Sequence, residues 1–459
     1  MSTQHPRQAG YGTLLVAVAL LGVCGDVPNS LQAQSELLDK NREAFPIAPA
    51  AGTGALARPV RDALASVVPS LQQQRFPSEA VRIIGMSGDG RLLWYLHDLL
   101  RFVTRASQPV VVDAFEELSN ADLSGELSGV MGDRVLAWDL PAPPDYRLLK
   151  RDLFLLIEPR WAPFFADEDS AIDWRLVGWG GVFIDDRPDA TAGQVCPRGC
   201  IPALDQPAVT DAEGGSWYPD DDLVFGIVIG RQARAYPKNI MEVHEMVNDT
   251  LGGRQIAIPY CTLCLSAQAY FTDDVGGFRP LLRTSGLLSR SNKFMYDITT
   301  FSAVDTFTGE AISGPLFDAG VRLNQTTVVT STWAAWRAAH PNTTIIAEDG
   351  GIGQSYPRNP LRGRDDAGPI FPVGDVDPRL SVHDVVLGVV AADGTPVAFP
   401  VGPTRLALEA DEEVVLAGVV LQSDAGGLRA FIDGAESPAH EAFWFAWSQF
   451  QPQTLLWER

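Results

Sequence analysis

The chain has 459 residues, room for two or three domains at roughly 150 residues each, and is 46% hydrophobic and 20% charged, which excludes a globally disordered protein. Its formal charge of −22 repels phosphate backbones and excludes nucleic-acid binding as a main role, and it equally excludes a polybasic membrane-surface protein. Gly (42) and Pro (33) are abundant and predict many turns and short strands, and five cysteines leave an odd one to place.

The first element is an apolar run at 14–23, too short to span a bilayer and of the length of a signal-peptide core. Arg7 precedes it and Cys24 follows it. Leu21-Gly22-Val23-Cys24 is lipobox-like, with Val23 where a smaller residue is usual. Residues 1–24 are therefore read as a signal peptide, with Cys24 as the lipidation candidate. A plain secretory signal cut near Ala33, or a buried helix, is the other reading. The expectation is an exported protein, periplasmic or outer-surface, touching the membrane only through an N-terminal lipid anchor. No later run reaches 18 apolar residues. Residues 25–57, rich in Ala, Gly, Gln and Pro, read as a linker.

From 58 the pattern turns helical: Val60, Leu64, Val67 and Val68, then Leu92, Leu93, Leu96, Leu99, Leu100 and Val103. Residues 58–175 are predicted as a mostly helical domain, with His97 a core histidine on its apolar stripe. From 176 to 459 short β-branched runs alternate with Gly, Pro, Asn and Asp clusters, at Leu223–Ile229, Arg254–Pro259, Thr326–Val329, Val385–Val390 and Val414–Leu421. The fold class is thus α+β, a helical N-terminal domain followed by a β-rich domain.

The β-rich part carries an echo. Val224–Pro237 and Val386–Pro400 both read as a hairpin closing on Ala, an aromatic and Pro. Trp333 to Thr343 and Trp444 to Thr454 both fit W-x2-W-x4-P-x-T, with two Trp on one helical face and a Pro that ends the helix. An internal duplication follows, with unequal repeats at about 223–346 and 383–457. The first copy has a much longer middle, which holds His244, Cys261 and Cys264, whereas the second has no cysteine. The second copy is expected to be mainly structural.

The chemistry is expected between 236 and 297. Cys261-x-x-Cys264 can chelate a metal or cycle between dithiol and disulfide. His244 is a candidate third ligand or a group that tunes a thiol. Met241 and Met246 would favour copper(I) if aimed at the site, but core filling is the simpler reading. Leu265 after the CxxC excludes a c-type haem signature, and Asn248 excludes a zincin helix. Three readings stay open: a soft-metal (copper or zinc) or thiol-redox site, structural cysteines in a non-catalytic envelope binding or scaffold module, and a Cys261 nucleophile with His244 as base. Cys196-Pro-Arg-Gly-Cys200 is expected to form a local disulfide, with a CxxxC-plus-His copper site, or one four-cysteine zinc site shared with Cys261 and Cys264, as the other readings. The clusters Asp220–Asp222 and Asp365–Asp366 lack calcium-loop spacing and read as solvated turns.

Cys200 to Pro207, Gly226, Tyr236-Pro237, His244-Glu245-Met-Val-Asn248-Asp249 and Tyr260-Cys-Thr-Leu-Cys-Leu-Ser266-Ala267 together resemble a bacterial and archaeal family catalogued as a domain of unknown function, number 3179. Thr284-Ser285-Gly286, Ser291-Asn292, Met295-Tyr296-Asp297, Thr308–Ala311 and the Trp333 to Thr343 block carry the resemblance onward, over about 190–459. It implies an exported or membrane-associated β-rich domain and no assigned activity. On these residues Tyr236, Glu245, Asn248, Asp249, Tyr260, Ser266, Ser285, Ser291, Asn292, Tyr296 and Asp297 are supporting candidates around His244, Cys261 and Cys264. Arg290 and Lys293 belong to the same polar cluster. Leu265 stands where the family usually has Gly, and Val304 and Thr306 stand where a Trp and a Gln-like residue are expected.

Overall fold

The computed structural model describes residues 46–123, 128–190, 196, 199–363 and 369–459. The signal segment with Cys24, and the linker up to residue 45, lie outside the described residues. The fold mixes α and β: helices come first, and five small sheets of four to six strands follow in a propeller-like ring. No helix among the described residues is long and apolar enough to cross a membrane.

The apolar spacing read from the sequence becomes the buried face of the helix Arg58–Gln72, through Val60, Ala63, Leu64 and Val67. Pro59 starts this helix, where a missing N–H costs nothing. Residues 46–57 are laid along these helices: Pro46 O accepts from Trp138 Nε1 at 2.7 Å, and Leu56 is buried. Inside the bundle Lys150 Nζ lies 2.9 Å from Asp98 Oδ1, and Tyr146 OH donates to Asp98 Oδ2 at 2.7 Å.

The helices do not close a core of their own. Leu287, Phe294, Tyr296 and Ala303, from the strands Leu282–Ser289, Asn292–Asp297 and Ala303–Asp305, join the same apolar cluster as the helical leucines and tryptophans. Trp161 Nε1 donates to Ser285 O across the seam at 2.8 Å. A helical face is thus covered by the four-stranded sheet that begins at Val177–Trp179.

The echo has a structural counterpart. One sheet is ordered Val329–Thr332, Leu223–Ile229, Gln232–Pro237, Thr344–Ile346, Val209–Asp211; another is ordered Ala439–Phe443, Val385–Val390, Pro396–Pro400, Leu455–Leu456. In both, the strand before the Trp helix pairs with the first hairpin strand, and the strand after it runs parallel to the second. The spacing that the two segments share also has a physical reason. Trp336 Nε1 donates to Thr343 Oγ1 and Trp447 Nε1 to Thr454 Oγ1, each at 2.9 Å. Each of these rings lies flat on a hairpin glycine. A Cβ on Gly226 would stand 2.2 Å from the Trp336 ring, and one on Gly388 2.0 Å from the Trp447 ring. Gly226→Ala and Gly388→Ala should each cost about 1–3 kcal/mol through overpacking. Urea unfolding of the two variants checks this, and a neutral result at either position means the ring has room to move.

Candidate functional site

The sequence places the thiol pair by simple chain geometry. The strand Met246–Leu251 turns at Gly252-Gly253 into Arg254–Cys261, which ends in one tight turn, Thr262–Cys264. That turn brings the sulfurs of Cys261 and Cys264 to 2.9 Å, with both residues buried and not disulfide-bonded. The turn closes at Leu265 with φ of 52°, a left-handed conformation that suits glycine. This accounts for the departure noted in the sequence: the position calls for a positive φ, and Leu adopts it at some cost.

Cys261 opens on a cavity of about 250 Å³; Cys264 is not among its walls. Polar groups reach the cavity from Glu242, Glu245, Thr262, Ser285, Ser291 and Lys293, among apolar walls that include Leu288 and Phe371. Glu245 stands at the left-handed end of the helix Lys238–His244. Its carboxylate accepts from Thr262 Oγ1 at 2.8 Å and pairs with Lys293. Lys238 pairs with Glu242 beside it.

The two thiols differ. Burial pushes the Cys261 thiol up, but the Cys264 side chain and the backbone N–H groups of Cys264, Lys293 and Leu263 together pull it below its ordinary value. Cys264 is pushed well above its ordinary value by burial and by the neighbouring Cys261. Its thiol donates to Ser291 O at 3.3 Å. Burial also holds the Lys293 ammonium well below the usual lysine range.

His244 stands apart from the sulfurs. Its Nδ1 meets Pro202 O and its Nε2 meets Tyr356 OH, both at 2.7 Å. Nδ1–H donating and Nε2 accepting satisfy both contacts with a neutral ring. Burial lowers its pKa to about 4. Among the described residues one cluster brings three His, Cys, Asp or Glu donors within 4.8 Å of one another, and it is Asp185, Cys196 and Cys200. The expected third ligand for the CxxC pair is therefore not met by His244, whose ring nitrogens are already engaged by chain partners. Cys196 and Cys200 form a close pair that can hold a disulfide or, with Asp185, a metal. The Asp185 carboxylate beside them accepts from Arg187 Nε at 2.6 Å and from Ala203 N at 2.9 Å, so a metal would compete for occupied oxygens.

The supporting candidates divide. Glu245, Ser285 and Ser291 share the cavity with Cys261. Tyr236 OH donates to Asp249 at 2.7 Å, Asn248 Nδ2 to Asp205 at 2.8 Å, and Tyr296 OH to Asp185 O at 2.7 Å. Asp297 caps a turn by accepting from Leu281 N and Thr300 N, and Asn292 donates to Thr306 Oγ1 at 3.2 Å. Tyr260 packs on Phe225, and Ser266 is buried in the short strand that pairs with Cys261. These eight build the frame and do not line the cavity. Met241 and Met246 are core. Val304 and Thr306 do not reach the cavity either.

Two features were not foreseen. Lys293 belongs to a polar cluster some of whose members were expected to line the site, but it is not itself among the named candidates; a lysine in the fully buried strand Asn292–Asp297 is the available signal. The second repeat was expected to stay out of the site, yet Cys261 and Cys264 pack in one cluster with Trp444, Phe445 and Trp447. Ser291 Oγ donates to Gln449 Oε1 at 2.8 Å, so the second Trp helix backs the thiol turn.

The model of one protein family, described as a protein of unknown function (DUF3179), matches residues 198–427. Neither a curated protein nor a solved structure matches the chain.

Proposed function

The chain belongs to the DUF3179 family of unknown function, and from that premise we propose that Cys261 and Cys264 form a thiol–disulfide redox centre. The observation that carries this reading is the asymmetry of the pair: two sulfurs at 2.9 Å, of which Cys261 alone borders the cavity. A thiol held below its ordinary pKa at an opening and one held above it behind suit an attacking and a resolving cysteine. Cys261 thiolate attacks a partner disulfide, forming a mixed disulfide and releasing one partner thiolate. Cys264 then gives up its proton and attacks Cys261 Sγ. The Cys261–Cys264 bond forms, the second partner thiolate leaves, and two electrons have passed to the partner. Lys293 and Glu245 line the same cavity and can hold the proton in transit.

A soft-metal site is less well supported, because two sulfurs leave copper or zinc short of ligands and His244 is engaged elsewhere. An exported location, anchored at Cys24, agrees with a Cys196–Cys200 disulfide, since such bonds persist in oxidising compartments. We read the two units at 223–346 and 383–457 as unequal copies of one ancestor.

The test uses an aromatic disulfide such as dithionitrobenzoate on the reduced chain, with peptide mass spectrometry to locate adducts. At the CxxC the wild type should release two arylthiolates and retain none. Cys264→Ser should release one and keep the aryl thiol on Cys261. A wild type that keeps the adduct on Cys261 would support a single-nucleophile enzyme instead. No adduct on Cys261 in either protein would leave the cysteines structural.

A further inference from the structure

A second cavity, of about 290 Å³, lies in the seam between the helices and the first sheet. Leu288 and Phe371 line both this cavity and the thiol cavity, so the two are neighbours. Nothing in the thiol chemistry uses it.

Three arginines line it, Arg101, Arg175 and Arg290. Arg175 is neutralised: it holds Asp173 through Nε and Nη2, and Nη1 donates to Asp139 at 2.7 Å. The other two have no carboxylate at ion-pair distance among the described residues. Arg101, at the mouth, spends one donor on Trp179 O at 2.6 Å and stands 5.9 Å over the Trp179 ring and 5.6 Å over Phe371. Arg290 sits in a left-handed turn with φ of 52°, its backbone N–H tied to Leu176 O at 2.8 Å. Its side chain is partly buried, and that burial holds its pKa below the usual arginine value with the charge kept. Asp139, Asp173 and Asp375 act on it from a distance, and the first two are already held by Arg175. A guanidinium carries five donors in a plane and matches a carboxylate in two-point contact. Among the described residues neither guanidinium meets a carboxylate; Arg101 is exposed and Arg290 partly so, and in a chain of formal charge −22 both stay open to an anion that enters the recess. The remaining walls are mostly apolar, with Trp94, Trp179 and Phe371, and carry His97, Gln108 and Asp98, whose carboxylate is already held by Lys150 and Tyr146. Apolar walls with a few convergent polar groups are the usual make-up of a small-molecule site.

We infer that this seam cavity binds a small organic carboxylate with a flat apolar body, its carboxylate held by Arg101 and Arg290 and its body against the tryptophans. The inference does not depend on the redox reading. The probe is 2-naphthoate, titrated into the full chain by calorimetry and tryptophan emission, with 2-naphthamide as the neutral match. Saturable naphthoate binding is expected, weakened about tenfold or more in Arg101→Met and in Arg290→Met, with no binding of the amide. Arg290→Lys keeps the charge but loses the two-point contact, so it should bind more weakly than the wild type and more tightly than Arg290→Met, which separates lost charge from lost fold. Arg290→Met removes a partly buried charge that meets no carboxylate among the described residues, so its Tm should hold or rise. The inference is overturned if naphthoate fails to saturate, if the amide binds as well, or if both methionine variants keep the wild-type affinity.

Discussion

Cys261→Ser should remove disulfide exchange at the cavity by at least about 10³-fold, the scale expected when a nucleophile is lost. The reason lies in the placing of the two sulfurs. Cys264 does not border the cavity, and burial alone still pushes its thiol up once Cys261 is gone, so it cannot take over as the attacking group. A serine hydroxyl at 261 is nearly the same shape but is not nucleophilic at neutral pH. The fold should tolerate it, because the position already receives backbone N–H groups that an oxygen can accept. Stopped-flow release of arylthiolate from the reduced variant measures the effect, and an unchanged denaturation midpoint shows that the loss is chemical. Exchange at the wild-type rate in Cys261→Ser would assign the chemistry to another thiol.

The largest stability effect is expected at Arg283. This side chain is 0% exposed, and it grips Asp205 with Nη1 at 2.9 Å and Nη2 at 2.5 Å. Its Nε donates to Arg187 O at 3.0 Å. Asp205 sits on a two-residue strand and also accepts from Ala190 N and Asn248 Nδ2. Removing one partner of such a pair strands a buried charge, so Arg283→Met should cost about 3–5 kcal/mol. Adding Asp205→Asn should return part of that loss, because the stranded charge goes with it. Arg283 lies on the strand Leu282–Ser289, which supplies Thr284 to Leu288 to the thiol cavity. The same variant should therefore loosen the cavity wall. Equilibrium denaturation of the two variants checks the account, and a loss below about 1 kcal/mol would mean the pair adds little.

Much of the frame was legible because its signals are local. The W-x2-W-x4-P-x-T spacing announced two like helices, and the structure supplies the cause in the Trp–Thr hydrogen bonds and the glycine beneath each ring. Strand bounds were less legible where turn chemistry hid inside an apolar run. Val414–Leu421 reads as one strand, but Ala417 and Gly418 take positive φ and fold it into Val415–Leu416 and Val419–Asp424. Thr326–Val329 likewise splits between two sheets.

The thiol pair was legible for the same local reason, since two cysteines three apart meet on a single turn. Its surroundings were not. Lys293 reaches the cavity from a strand about thirty residues later in the chain, and Gln449 of the second repeat holds the wall residue Ser291 by accepting from its Oγ. Such meetings are set by sheet order, which no short motif records. His244 misled because a histidine in a specific-looking motif also serves to tie a carbonyl and a tyrosine together, as it does with Pro202 and Tyr356.

The most direct measurement is a redox titration of the full chain in dithiothreitol buffers, with acid quenching, alkylation and peptide mass spectrometry. The peptide holding Cys261 and Cys264 should pass in one two-electron step from two alkylated thiols to none, gaining a disulfide as it loses both adducts. Two alkylated thiols at every potential, including the fully oxidised buffer, would contradict a redox pair at this site.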